Sequence, residues 1–159
     1  MKLKSILGIL AILFTLGLIF MPVTGCGCSK ISATKAACLS HIKQQGLAFT
    51  LYTSDENDQY PNRDVWMDSI APYVKDQSIF KEPLKPVQPY GYAFNSKLSN
   101  AKVPKAPEKT PLVYDSVNPI RNASDPAVSL PSPGRHSGMD IIGYADGHGK
   151  AVKVGVQPK

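Results

Sequence analysis

The chain has 159 residues, with 18 Lys and Arg against 12 Asp and Glu and a formal charge of +6. Its lysines are spread thinly and no basic helix or aromatic–basic module appears, so nucleic acid is not an expected partner. Setting aside the first 25 of the 159 residues leaves 134, enough for one modest core but hardly two.

The N-terminus speaks to location. Lys2 and Lys4 precede an apolar run from Ile6 to Phe20, broken only by Gly8, Thr15 and Gly17. Val23-Thr24-Gly25-Cys26 follows. A basic start, an apolar core and small residues before a cut site describe a secretory signal. The cysteine after Val-Thr-Gly resembles that of a bacterial lipobox, which is acylated and becomes the new N-terminus. The apolar run is short for a membrane span, which needs about 20 residues. It reaches that length only through Met21-Pro22-Val23, so an uncleaved anchor stays open beside the lipoprotein signal, with a buried helix as a third reading. The expected organisation is a signal or anchor over 1–25, a tether over 26–31 and a globular domain over 32–159. Membrane lipid, attached through Cys26, is the expected N-terminal partner, and the domain is expected in the cell envelope on the extracytoplasmic side. The other cysteines are Cys28 and Cys38. Within one helix their ten-residue separation spans about 15 Å, too far for a disulfide, so a bridge between them requires a helix break near Ser29 or Ser32.

Ser32 to Thr53 reads as the first helix of the domain. Leu39, Ile42, Phe49 and Tyr52 recur at helical spacing, with Cys38, Leu47 and Leu51 widening the stripe. Gly46 interrupts it and marks a close approach to another backbone. Asp55-Glu56-Asn57-Asp58 and Pro61 end the pattern. A second, short helix is expected from Val65 to about Val74, capped by Asp64 and distorted at Pro72. Trp66, Tyr73 and Phe80 are expected in the core. Ten of the fourteen prolines then fall between Pro83 and Pro133, which forbids long helices and interior strands. Short strands are expected at Tyr90–Phe94 and Leu112–Tyr114. The strongest strand signal is the tail, where Met139–Ala145 and Ala151–Val156 flank Asp146-Gly147, a hairpin dipeptide. Helices first and antiparallel strands last imply an α+β fold.

Several residues invite a chemical reading. His136, Asp146 and His148, with Asp115 or Asp140, are candidates to converge on a zinc ion near the final hairpin. The competing reading makes Asp146-Gly147 a turn and His136 a hydrogen-bonding partner of the incoming loop. Asp55, Asn57 and Asp58 offer hard oxygens suited to calcium, but lack the glycine and distal glutamate of an EF-hand loop. A solvated helix C-terminus is the expected reading, and since the carboxylates there meet the negative pole of the helix, a lysine or an ion is a candidate to compensate. No nucleophile stands in a strand–turn–helix elbow, and no cofactor is expected.

In order and spacing, the segment Cys38-Leu39-Ser40-His41-Ile42-Lys43-Gln44-Gln45-Gly46-Leu47-Ala48, the acidic turn, Pro61, Trp66, Pro72-Tyr73-Val74, Tyr90-Gly91-Tyr92 with Asn95, and His136 followed after nine residues by Asp146-Gly147 resemble pseudopilin-like proteins of the type II secretion and type IV pilin superfamily. The resemblance covers about residues 33–156 and implies a pilin-like fold, a long N-terminal helix packed on a small antiparallel sheet with long proline-rich loops. Cys38, Trp66, Tyr90, Gly91, Tyr92, His136, Asp146 and Gly147 are the positions that carry it. The chain departs from that pattern at both ends of its logic. With Pro22 set against the kinked proline of pilin helices, Ser5 stands at the glutamate's place and no pilin-type leader is expected to be cut. The family's second cysteine is replaced by Glu82 in Phe80-Lys81-Glu82-Pro83, which takes away the disulfide partner that the resemblance implies for Cys38. The function expected on this basis is that of a non-enzymatic, envelope-anchored structural or assembly component, with secretion or pilin-like subunits as partners. The alternatives are a free-standing lipoprotein that binds an envelope polymer or small ligand, and a metal-dependent hydrolase.

Overall fold

The computed structural model describes residues 28–83 and 89–153, with side chains from residue 33 onward. The expectations for the apolar run and for Cys26 lie outside the described residues. Among the described residues, no helix is long and apolar enough to cross a membrane.

Helix α1 runs from Cys28 to Asp55, beginning four residues before the expected Ser32, inside the stretch read as a tether. Ala33, Ala36, Ala37 and Ala48 favour it, and it holds no proline. The unbroken helix keeps the Cys28 and Cys38 backbones about 15 Å apart, and Cys38 is a free, buried thiol. The buried seam runs through Cys38, Ile42, Gln45, Ala48 and Phe49. Leu47 and Leu51, expected in that stripe, are 59% and 43% exposed instead. Five residues of helix rotate Leu47 about 140° away from Ile42, onto the other face. Gly46 takes the inner position because a Cβ there would stand 3.0 Å from the Cα of Gly147. The close backbone approach expected at Gly46 is thus made against the final hairpin.

The helix C-terminus is finished by Asn57 and Asp58 at φ 53° and 61°, a left-handed conformation that these residues tolerate. Lys102 Nζ donates to the Asn57 carbonyl, which places a lysine at the negative end of the helix. Tyr73 OH donates to Asp55 Oδ2 at 2.7 Å. All three calcium candidates, Asp55, Asn57 and Asp58, are exposed. Helix α2, Trp66–Ile70, passes at Pro72 into a 3-10 turn over Ala71–Tyr73. Asp64 does not cap it. Asn122 Oδ1, more than fifty residues away, instead accepts from the Met67 N–H at 2.7 Å, so a tertiary contact satisfies the free donor.

Strands β1 Tyr92–Asn95, β2 Pro111–Asp115, β3 Ser124–Asp125, β4 Met139–Tyr144 and β5 Gly149–Lys153 form one sheet in the order β3-β1-β2-β4-β5. The β1–β2, β2–β4 and β4–β5 pairs are antiparallel. The short β3 pairs parallel to β1, a departure from the all-antiparallel expectation. Two residues bounded by Asp125-Pro126 carry almost no periodic signal. The architecture is α+β, with α1 packed on the sheet. Between them Phe49 stacks on Trp66 and Phe94, at centroid distances of 5.6 and 5.3 Å. Phe80 meets Trp66 edge-on. The opposite face buries Ala93, Tyr114 and Ile142 under Ala123, Ala127 and Leu130.

The β4–β5 connection is a three-residue loop. Gly147 N donates to the Tyr144 carbonyl at 2.9 Å, and Tyr144 N to the His148 carbonyl at 2.8 Å. Gly147 at φ +86° supplies the left-handed residue of the bulge that closes such a loop. Gly147→Val is expected to destabilise the domain by about 1–2 kcal/mol through that conformation alone. Urea unfolding checks this, and an unchanged midpoint would place the turn elsewhere.

Candidate metal centre

Four elements bring polar side chains to one buried point beside the aromatic core. Cys38 comes from the inner face of α1. Asp115 ends β2. His136 sits at the head of a tight turn into β4, in which His136 N donates to Met139 O at 2.9 Å and Met139 N returns to His136 O at 3.3 Å. Ser137 and Gly138 between them take φ 56° and 82°, the two left-handed residues that a tight two-residue turn demands. Glu82 follows the 3-10 turn Gln77–Phe80.

The ligand-type atoms of Cys38, Asp115 and His136 all lie within 4.8 Å of one another. The three residues are 0%, 0% and 1% exposed. His136 Nε2 stands 3.4 Å from Asp115 Oδ2, and Asp115 Oδ2 also accepts from Ile141 N at 2.7 Å. Among the described residues, both ring nitrogens of His136 and Asp115 Oδ1 have no hydrogen-bond partner. A buried polar atom left unpaired costs about 1–3 kcal/mol, so three at one point require an explanation.

Arg135 holds the site from behind. Its guanidinium donates to Glu82 Oε2 and to the Ser116 carbonyl, and to the Gly91 carbonyl at 2.9 Å. It stands 3.8 Å from Asp115 Oδ1. Its backbone N–H donates to Asp140 Oδ1 at 3.1 Å, which ties the start of β4 to the turn that carries His136. Burial pushes the Asp140 carboxyl up to about 6, partly countered by the Arg135 N–H. The absence of a side chain at Gly91 lets Glu82 close over the site, since a Cβ at Gly91 would fall 2.7 Å from Glu82 Cβ. Glu82 Oε1 comes to 3.6 Å from Cys38 Sγ. Burial first, then the charges of Glu82 and Asp115, push the Cys38 thiol far up, which favours its protonated form. A divalent cation bound through this sulfur would displace the thiol proton.

The other sequence candidates stand apart. Asp146 and His148 sit at the far end of β4 from His136, about 20 Å along a six-residue strand. They pair locally, with His148 Nδ1 2.6 Å from Asp146 Oδ1, while the ring stacks on Tyr144 at 4.4 Å. Of the zinc candidates, Asp146 and His148 thus lie away from His136, whose neighbour is Asp115. Trp66 is fully buried and donates from Nε1 to the Ala123 carbonyl at 3.0 Å. Tyr92 is core, its hydroxyl 3.3 Å from His41 Nδ1. Tyr90 accepts from Arg121 at 3.1 Å. Glu82 and Arg135 were not legible as site residues. Positions 38, 82, 115 and 136 are too far apart for any local spacing rule to join them.

No protein-family model, curated protein or solved structure matches the chain. The Cys38–Asp115–His136 cluster overturns two expectations. The chain was expected to lack catalytic geometry, yet it gathers three ligand-type side chains at one buried point. For the same reason the reading as a purely structural, non-enzymatic assembly component does not stand.

Proposed function

We propose that the domain is a metal-binding protein whose buried centre takes one divalent transition-metal ion of the zinc class through Cys38, Asp115 and His136. The observation that carries this is a thiol, a carboxylate and an imidazole within 4.8 Å, with both imidazole nitrogens and one carboxylate oxygen unpartnered among the described residues. Thiolate, imidazole and carboxylate are zinc's donors, with bond lengths of about 2.0–2.3 Å. Tetrahedral ligand atoms at those lengths stand roughly 3.3–3.8 Å apart, so the cluster closes on an ion by drawing in about 1 Å. Three protein ligands leave a fourth position, the arrangement with which such ions activate water. Metal-assisted hydrolysis is the reaction class this donor set supports. Metal content after incubation with zinc and exhaustive dialysis tests the proposal. One equivalent in the parent, and none in Cys38→Ala or His136→Ala, is the expected result, and a parent without zinc would refute it.

The fold is further proposed to be pilin-like. Support comes from the N-terminal helix packed on a mostly antiparallel sheet, and from Cys38 facing Glu82, the place where the resemblance puts a second cysteine. The lipobox-like Val23-Thr24-Gly25-Cys26 supports a domain anchored to a membrane on its extracytoplasmic side. Intact mass of the membrane-bound protein should show loss of residues 1–25 and acylation at Cys26. A full-length, unmodified chain would contradict that.

A further inference from the structure

The formal charge of +6 is not spread evenly along the chain. All 12 carboxylates fall between Asp55 and Asp146, with none before or after. Helix α1 up to Asp55 and strand β5 are therefore basic segments, and the fold lays them side by side. A Cβ at Gly149 of β5 would stand 2.9 Å from Leu39 Cδ1 and 3.5 Å from Lys43 Cγ of α1. Lys35 Nζ stands 3.8 Å from Met139 Sδ, and Met139 pairs with Lys153 across β4 and β5. Among the described residues, the ion pairs are those of arginines and histidines, and lysines make none. Asp146, in the hairpin beyond, is engaged by His148.

The outward stripe of α1 has the same character. Ala36, Ser40, Lys43, Leu47, Leu51 and Ser54 are exposed and share one helical face. That face carries a single charge, Lys43, where a solvated helix face is usually rich in charges of both signs. Leu39, Lys43 and Leu47 line a concavity on it. Resting on the membrane-anchored reading above, we infer that this face, with Lys35 and Lys153 at its border, lies on an anionic bilayer surface. α1 begins at Cys28, two residues after Cys26, so the helix starts where the anchor ends. Standing upright, it would carry Lys43 about 22 Å from that start, beyond the Debye length of about 8 Å. Lying flat, it brings its lysines to the anionic headgroups and seats its leucines among them, as interfacial helices do. A second copy fits the face less well. From Ala33 to Ser54 the stripe is about 33 Å long and about 10 Å wide, so a paired contact buries roughly 660 Å², short of the about 1,200 Å² of stable interfaces. Lys43 stands at its middle, where a two-fold contact would set it against its own copy.

The full-length chain, incorporated into phosphatidylcholine vesicles with and without phosphatidylglycerol and labelled by a water-soluble amine reagent, reports the contact lysine by lysine. Peptide mapping should show Lys43 and Lys153 labelled about fivefold more slowly on the anionic vesicles, the partitioning that a basic residue adds near such a surface. High salt should remove the difference. Lys97, exposed just after β1, should label equally on both. Lys43→Glu with Leu47→Glu, both at exposed positions, should return Lys153 to its rate on neutral vesicles and leave the urea midpoint unchanged. Equal rates at Lys43 on the two vesicles overturn the inference while leaving the anchor standing. Slow labelling on both, whether or not it deepens with protein density, means that a second copy or the chain itself covers the face, and overturns it too. A chain that does not float with the vesicles overturns the anchored reading as well.

Discussion

Zinc in excess is expected to raise the urea midpoint of the full-length chain in mild detergent, by an amount set by affinity. At free zinc 1,000-fold above its dissociation constant, the gain is about 4 kcal/mol, since the ion binds the folded state and finds no assembled site in the unfolded one. Cys38→Ala and His136→Ala should lose this response, and a chelator should abolish it in the parent. The effect has a definite pH sense. Burial and two neighbouring carboxylates hold the Cys38 thiol in its protonated form, so binding must release that proton. Raising the pH from 6 to 8 should therefore strengthen apparent zinc affinity, and lowering it should weaken it. The competing account is a protonated His136 paired with Asp115 in a metal-free charge cluster. It predicts that zinc leaves the parent midpoint unmoved, while His136→Ala costs about 3–5 kcal/mol by stranding a buried charge.

Trp66→Ala should be as damaging for a different reason. The indole is fully buried, stacks on Phe49 and Phe94, and meets Phe80 edge-on. Truncating a buried aromatic to alanine costs about 3–5 kcal/mol through lost transfer energy and the cavity left behind. Trp66→Phe keeps most of the stacking and loses the Nε1 hydrogen bond to Ala123, a net loss of roughly 0.5–1.5 kcal/mol. Urea unfolding of both variants separates ring packing from the hydrogen bond. Equal losses would mean that the bond, not the stack, holds Trp66. Phe80 of that stack lies two residues before Glu82, so Trp66→Ala should also loosen the wall of the metal centre.

The elements that repeat were the ones legible in the sequence. The stripe through Cys38, Ile42 and Phe49 identified α1, and Asp146-Gly147 between two valine- and isoleucine-rich runs identified the final hairpin. Gly46 was readable as a close contact because a glycine inside a helix otherwise only costs stability. What failed was whatever depends on distant partners. Asp64 was a reasonable local cap for α2, but Asn122 from a remote loop took the role. Leu47 and Leu51 fitted an apolar stripe by composition, but the rotation of the helix turns them outward. For the site, His136 and Asp115 were both nameable as candidates, yet Asp146 and His148, grouped with them, belong to the far end of β4, and the fold joins His136 to Asp115. Glu82 looked like a lost cysteine, and its closeness to Cys38 Sγ appears only once the 3-10 turn and Gly91 are in place.

X-ray absorption at the zinc edge of the loaded full-length chain tests the central claim most directly, because it reads the atoms around the ion. One sulfur at about 2.3 Å with nitrogen and oxygen neighbours at about 2.0–2.2 Å is the predicted first shell, and Cys38→Ala should remove the sulfur. A shell of nitrogen and oxygen alone in the parent, or no bound zinc at all, would contradict the assignment of Cys38, Asp115 and His136 as a metal centre.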